Sequence, residues 1–501
     1  MEILAGITLE RENLKMDGSK RKLILIGVLI LATFLRFYHL TTTPPGLFID
    51  EAMDGNNAVE AHETGHFKVF YPEFNGREGL YVNMVALLFN ILPSNEPWVI
   101  RLPAAVAGVL TVLGTYLLVA ELFGDGPALL AAFLLATSFW HINFSRIGFR
   151  AILAPLLLTW SLWLLIKAFK TASVAKASWS YAVLAGIVYA LGFYSYIAYR
   201  ITPLLFLLFI PFFRKMPGFW KRVVVFMAVA FLVAAPIGWY FVKNPGDFFG
   251  RIAQVSVTNS SDRYGQFALN MIKTFLMLIL HGDHNWRHNV SGAPELFRPV
   301  GILFLLGTLL CLWFLYDARR RTKTPWPLFG VLVLIGWLVL AALPAAATNE
   351  GIPHALRAIL MLPPSIMLAA LGGIWLFRFT KNHWGENIAR SLALIFLTSV
   401  AVFAYIDYFR IWAGNPNVAD AFNASYVAIG NRVNALPRSV PKYVVVGPQG
   451  TIPMDTLMNA ESTMYITGSF TAQDQRSKNI HYLLPENTGS LPAQAEVFYI
   501  K

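Results

Sequence analysis

The chain has 501 residues, of which 56% are hydrophobic and only 14% charged, with a formal net charge of +12. Soluble domains carry roughly 25% charged residues, so the composition excludes a soluble globular protein and predicts an integral membrane protein. The single cysteine, Cys311, excludes an intramolecular disulfide and a cysteine-rich metal site. The surplus of Lys and Arg reads as cytoplasmic loop charge, not as a nucleic-acid footprint.

Residues 1–22 read as a cytoplasmic N-terminus, because no small-residue cleavage site follows and the first apolar run leads to more. Apolar runs fall near 23–40, 98–120, 127–143, 151–170, 179–197, 199–213, 222–242, 297–317, 327–347, 353–378 and 390–410. Several approach the ~20 residues that cross the hydrocarbon as a helix, which predicts an all-α polytopic protein with about eleven spans. Basic clusters at Lys20–Lys22, Lys167/Lys170/Lys176, Arg214/Lys215/Lys221/Arg222, Arg319–Arg321 and Lys381/Arg390 belong inside by the positive-inside rule. A crossing at 267-FALNMIKTFLMLIL-280 would put Arg319–Arg321 outside, so that run is expected to be interfacial or re-entrant. The transmembrane module is then 23–410, with external loops 41–97 and 243–296. The tail, 411–501, reads as a small extracytoplasmic α/β domain, helical at 418–436 and strand-like at 442–447, 463–468, 480–485 and 496–501.

Polar residues gather on the side expected to face outward. In 47-LFIDEAMDGN-56, Asp50 and Glu51 are adjacent, with Asp54 close behind. One reading is a solvated loop start with an Asx-type turn after 44-PPG-46. The other is a general base at the membrane surface: moving a sugar from a lipid phosphate needs a carboxylate to take the acceptor's proton and cations to receive charge on the leaving phosphate. Next come 74-FNGREGLYVNMVALLF-89, amphipathic, and a span with Arg101 near its outer end, read either as a snorkelling cation or as part of a site.

An acidic pair after the first span, then 'F-N-G-x-x-x-L-Y' and 'W-x-x-R-L-P-x-A-x-A-G-x-L-T-V', resembles the membrane glycosyltransferases of the C-type fold. More narrowly it resembles the protein O-mannosyltransferase family and its bacterial relatives that transfer aminoarabinose to lipid A. The resemblance is carried over about 41–125, and hydropathy extends it loosely to about 410. It implies that Asp50 is the base and Glu51 its partner, and that Arg77 stands where relatives place a phosphate-contacting lysine. Tyr81, from the same motif, becomes a candidate substrate contact. One departure is that 146-RIGFRA-151 puts Ala151 where relatives carry a second acid, which weakens an aminoarabinose substrate and any metal site needing that acid.

The outer loop 281-HGDHNWRHNVSGAPELFRP-299 collects His281, Asp283, His284, Arg287, His288 and Glu295. It reads as divalent-metal ligands (candidates Asp50, His281, Asp283 and His284), as substrate contacts from Arg287 or His288, or as ordinary loop. In 349-NEGIPHALRAILMLPP-364, the spacing of His354 and Arg357 predicts one face of a helix whose N-terminus favours donor phosphate. Arg200, after 194-YSYIAY-199, is a further candidate of that kind, although the tyrosines also suit an aromatic belt.

The resulting expectation is an inverting glycosyltransferase of the extracytoplasmic face, in a bacterial inner membrane. Asp50 and Glu51 would be catalytic, and Arg77, Arg101, His354 and Arg357 would hold the phosphate of a polyprenyl-phosphate sugar. The acceptor is a protein, lipid or glycan hydroxyl; nucleic acid is not a partner, and a divalent ion is the one cofactor to consider. The alternatives are a transporter or flippase of lipid-linked saccharides, which the scarcity of acids within the spans disfavours, and a structural or receptor protein with the tail as binding module.

Overall fold

The computed structural model describes residues 17–73, 76–92, 94, 96–171, 176–321, 325–447, 457–489, 491–492 and 494–500. Residues 1–16 of the expected N-terminus, and Phe74 and Asn75 of the loop motif, lie outside the described residues.

Among the described residues, eight helices are long and apolar enough to cross a membrane: Pro97–Phe123, Arg150–Lys170, Lys176–Tyr194, Phe219–Lys243, Arg298–Asp317, Trp326–Ala346, Ile359–Trp384 and Glu386–Trp412. The other three expected spans are helical but fall short on composition or length. Gly18–Phe37 has 20 residues and carries Lys20, Arg21, Lys22 and Arg36. Asp125–Thr137 has only 13 residues. The run Ile197–Phe213 breaks into short α and 3-10 pieces, where Pro203 and Pro211 remove backbone donors. The amphipathic helix Arg263–Leu276, 14 residues long, is too short to cross, as expected for 267–280.

The chain forms two compact units. The first comprises Met1–Tyr38, Ala105–Ser145 and Arg150–Tyr408. Its helices approach closely where side chains are smallest. A Cβ on Gly307 would strike the Leu368 carbonyl, and one on Gly372 the Leu303 carbonyl, so glycine lets Arg298–Arg321 lie against Leu362–Trp384. Ion pairs join its helices. Lys170 meets Glu121 at 2.5 Å, and Arg21 meets Asp125 at 2.9 Å.

One expectation fails in this unit. His354 and Arg357 lie in the loop before the helix, which begins as a 3-10 turn at Ile359 and becomes α-helical at Leu362. Pro363 and Pro364 sit in the first turn of the observed helix, where their missing N–H groups cost no intrahelical hydrogen bond.

The second unit comprises His39–Ala104, Arg146–Phe149 and Phe409–Lys501. Its tail holds a three-stranded parallel sheet, Ile480–Leu483, Lys442–Val446, Glu496–Ile500, with Val444 opposite both Tyr482 and Phe498. Val433, Val444, Val446, Met464, Phe498 and Ile500 form its core. The expected strand at 463–468 is instead the helix Glu461–Thr467, ended by Gly468 at φ 57°. Residues 461–465 are all buried, because this helix packs between Ile49–Thr64 and Ala424–Ala435; that tertiary setting overrides the β-propensity of Thr463, Tyr465 and Ile466.

Candidate active site

Asp50, Glu51 and Asp54 belong to the helix Ile49–Thr64, not to an irregular loop. Glu51 accepts from its own Phe48 N–H at 3.2 Å, closing the first turn, and acids there complement the helix dipole. Gly65, at φ 72°, ends the helix. The four-residue spacing puts Asp50 and Asp54 on one face. Against that face stands Arg77, on a two-residue strand paired antiparallel with Phe70–Tyr71. Arg77 Nη2 donates to Asp50 Oδ1 at 3.1 Å, and its Nε meets Asp54 Oδ1 at 3.0 Å. Arg77 and Asp54 are buried at 3% and 1% exposure, whereas the Asp50 side chain is 39% exposed.

Glu51 is placed differently. Fully buried, it accepts from Arg101 Nε at 2.9 Å, Arg101 Nη2 at 3.1 Å and the Gly148 N–H at 2.6 Å. Arg101, also buried, donates further to the carbonyls of Pro44 at 2.7 Å and Gly46 at 2.8 Å. The pair therefore locks the 44–46 turn, the helix start and residue 148 together. Tyr81 is buried too, its hydroxyl donating to the Ile100 carbonyl at 2.6 Å.

The tail reaches the same helix. Asn56 Nδ2 donates to Glu461 Oε2 at 2.6 Å and to the Glu461 carbonyl at 3.2 Å, and Ser462 Oγ donates to the Leu47 carbonyl at 2.8 Å. Burial pushes the Glu461 carboxyl up to about 7, although the Asn56 hydrogen bond and the Arg77 charge oppose it. The native state thus keeps a proton that the unfolded chain releases above about 4.5. Stability should fall as pH rises from about 4.5 to about 7 and then level. Glu461→Gln removes that titration and is expected to be the more stable chain at pH 8, by roughly 3 kcal/mol. Apparent melting temperatures of both chains across pH 4–9 check this; parallel curves would exclude it.

Asp54, Asn56, Gly148 and Glu461 complete this site without having been predicted. The Asp50–Asp54 spacing alone was legible. The contacts of Gly148 and Glu461 cross 97 and 405 residues of sequence.

A second polar cluster lies within the first unit. Asp283 Oδ2 accepts from His288 Nδ1 at 2.8 Å and from the Ala355 N–H at 2.9 Å, and its Oδ1 accepts from the Asn285 N–H at 2.8 Å. His354 Nδ1 stands 3.8 Å from the same Oδ2. Burial alone would raise the Asp283 carboxyl, but the hydrogen bond and charge of His288 hold it below the usual carboxylate range. Burial, with the charges of His288 and Arg357, depresses the His354 imidazole well below its ordinary value.

Of the other candidates, His281 and His284 are exposed and lie outside the group Asp283, His288 and His354. Arg287 Nε donates to Asn285 Oδ1 at 3.2 Å. Arg357 donates to Thr348 Oγ1 at 2.8 Å and pairs with Glu350 at 3.1 Å. Arg200 donates to the Phe248 carbonyl at 3.0 Å, its guanidinium 4.2 Å from that ring's centre.

Comparison with known proteins agrees with this architecture. Residues 79–240 match the family described as dolichyl-phosphate-mannose-protein mannosyltransferase. No curated protein matches the chain. The oligosaccharyltransferase of Archaeoglobus fulgidus, in its apo form, is similar in structure with a TM-score of 0.56 at 15% identity, over 94% of this chain and 65% of that one. The oligosaccharyltransferase AglB, from the same archaeon, in complex with an inhibitory peptide and a dolichol-phosphate, gives 0.52 at 16% identity, over 89% and 63%. ArnT from Cupriavidus metallidurans, bound to undecaprenyl phosphate, gives 0.55 at 14% identity, over 93% and 90%. The chain thus spans a little under two thirds of the archaeal enzyme's length. It is a multi-pass membrane protein with the C-type glycosyltransferase fold, similar over residues 79–240 to the dolichyl-phosphate-mannose-protein mannosyltransferases.

Proposed function

We propose that the chain is a membrane glycosyltransferase that moves a sugar from a polyprenyl-phosphate donor to an acceptor hydroxyl, with inversion, and that Asp50 is the general base. One observation carries this reading: of the three acids at the start of Ile49–Thr64, Asp50 alone is open to solvent, and a buried arginine holds it in place. The acceptor hydroxyl gives its proton to Asp50 as its oxygen bonds to the anomeric carbon, and the polyprenyl phosphate leaves with the bonding pair. A phosphate departs without protonation, so a single carboxylate suffices. As Asp50 gains the proton it loses its charge, and Arg77 is freed of one of its two counter-ions to face the departing phosphate. Glu51 and Arg101 act as positioning residues that fix the helix bearing Asp50. The polyprenyl-phosphate donor is supported by the complexes of the similar proteins AglB and ArnT with dolichol-phosphate and undecaprenyl phosphate. The basic clusters support an extracytoplasmic site and a cytoplasmic N-terminus; placement in the inner membrane of a bacterium rests on the resemblance to the bacterial aminoarabinose transferases.

The test is to incubate purified protein with undecaprenyl-phosphate hexoses and pentoses plus an envelope acceptor fraction, following release of undecaprenyl phosphate and the anomeric configuration of the product. Donor cleavage with an inverted product is expected. Lipid-linked saccharide crossing proteoliposomes with no donor cleaved would establish the transporter instead. Arg77→Ala is expected to lower kcat and raise the donor KM. Arg77→Lys should recover only part, because a point charge cannot fork across Asp50 and Asp54. Steady-state kinetics of both variants, alongside a folding check, decide this; full activity in Arg77→Ala would exclude the assignment.

A further inference from the structure

We propose that Asp283, His288 and His354 bind a divalent transition-metal ion of the zinc class, held between loops 277–297 and 347–358. The ligand atoms of the three residues lie within 4.8 Å of one another. His354 Nδ1 is buried with no hydrogen-bond partner among the described residues. Its 3.8 Å separation from Asp283 Oδ2 is too long for a hydrogen bond. It is close to the ~3.3 Å between two ligands on one tetrahedral zinc with bonds near 2.0 Å. His288 Nδ1 reaches the same oxygen at 2.8 Å, so both imidazoles converge on one carboxylate oxygen, though His288 alone is hydrogen-bonded to it. Two imidazoles and a carboxylate match zinc, whereas magnesium and calcium prefer all-oxygen sets.

The surroundings brace this set as outer-shell groups brace metal ligands. The N–H groups of Asn285 and Ala355 fix the Asp283 carboxylate. Glu295 Oε1 accepts the Asp283 N–H at 3.0 Å, while its Oε2 is buried and unpartnered among the described residues. A dication beside two buried acids relieves their mutual repulsion. Three protein ligands leave one position for water or for an oxyanion such as phosphate. None of these residues has a part in the proposed transfer chemistry, so the ion can be sought without an activity assay.

The experiment uses full-length, tag-free protein in detergent, loaded with zinc, dialysed against metal-free buffer and measured for metal content and thermal unfolding. Stoichiometric zinc is expected, with a melting temperature that falls on chelation and does not respond to magnesium. His354→Ala and Asp283→Asn should weaken zinc binding at least about 10-fold, and His284→Ala should retain it. Cobalt loading of the wild type gives a reading that needs no variant, since tetrahedral coordination produces strong visible absorption. Folded His354→Ala that keeps its zinc, or cobalt showing only the spectrum of the aqueous ion, overturns the proposal.

Discussion

Asp50→Asn is expected to reduce sugar transfer by about 10²–10⁴-fold at saturating donor while leaving the chain folded. Asparagine keeps the shape of the side chain and can still accept a hydrogen bond from Arg77 Nη2, now 3.1 Å from Asp50 Oδ1. What it cannot do is take the acceptor's proton. The 39% exposure of Asp50 limits the stability lost with its ion pair to about 1 kcal/mol or less. Asp54→Asn makes the contrast. That carboxylate is 1% exposed, and neutralising it removes the buried counter-ion of Arg77, so this variant should lose stability as well as rate. Single-turnover kinetics beside melting curves separate the two outcomes. Wild-type turnover in Asp50→Asn would falsify the base assignment.

Arg101→Met should destabilise the chain by about 3–5 kcal/mol, the cost of stranding a buried carboxylate without its partner. Glu51 and Arg101 are 0% and 1% exposed and 2.9 Å apart, so solvent cannot replace the lost charge. The substitution also frees the carbonyls of Pro44 and Gly46. Adding Glu51→Leu to Arg101→Met removes the orphaned acid, and part of the loss should return, which a double-mutant cycle measures. Were Arg101→Met as stable as wild type but weak for donor, Arg101 would belong at the phosphate, as the motif alone suggested.

The difference between Asp50 and Glu51 shows what adjacency in sequence conceals. On a helix, neighbours project about 100° apart, so one carboxylate can meet solvent while the next is sealed against Arg101 and Gly148. Nothing in 'DE' says which is which. The expected helix face for His354 and Arg357 failed for a related reason: their spacing is helical only if the backbone is, and the helix begins beyond them, with Pro363 and Pro364 in its first turn. At 463–468 the local β-propensity is real, but burial between two helices decided the conformation.

By itself the sequence determined that this is a multi-span membrane protein, because unbroken apolar length depends on composition alone. It also determined the acids, the 'RLPAAVAG' helix and the Arg77 motif, which lie within 60 residues and carry the family likeness. Tertiary structure decided the rest: which acid is open, that Arg101 is committed to Glu51, that tail residue Glu461 meets Asn56, and that His288 and His354 converge on Asp283. Those contacts join segments up to 405 residues apart. Periodicity and propensity report only on near neighbours along the chain, so pairings at that distance are set by packing.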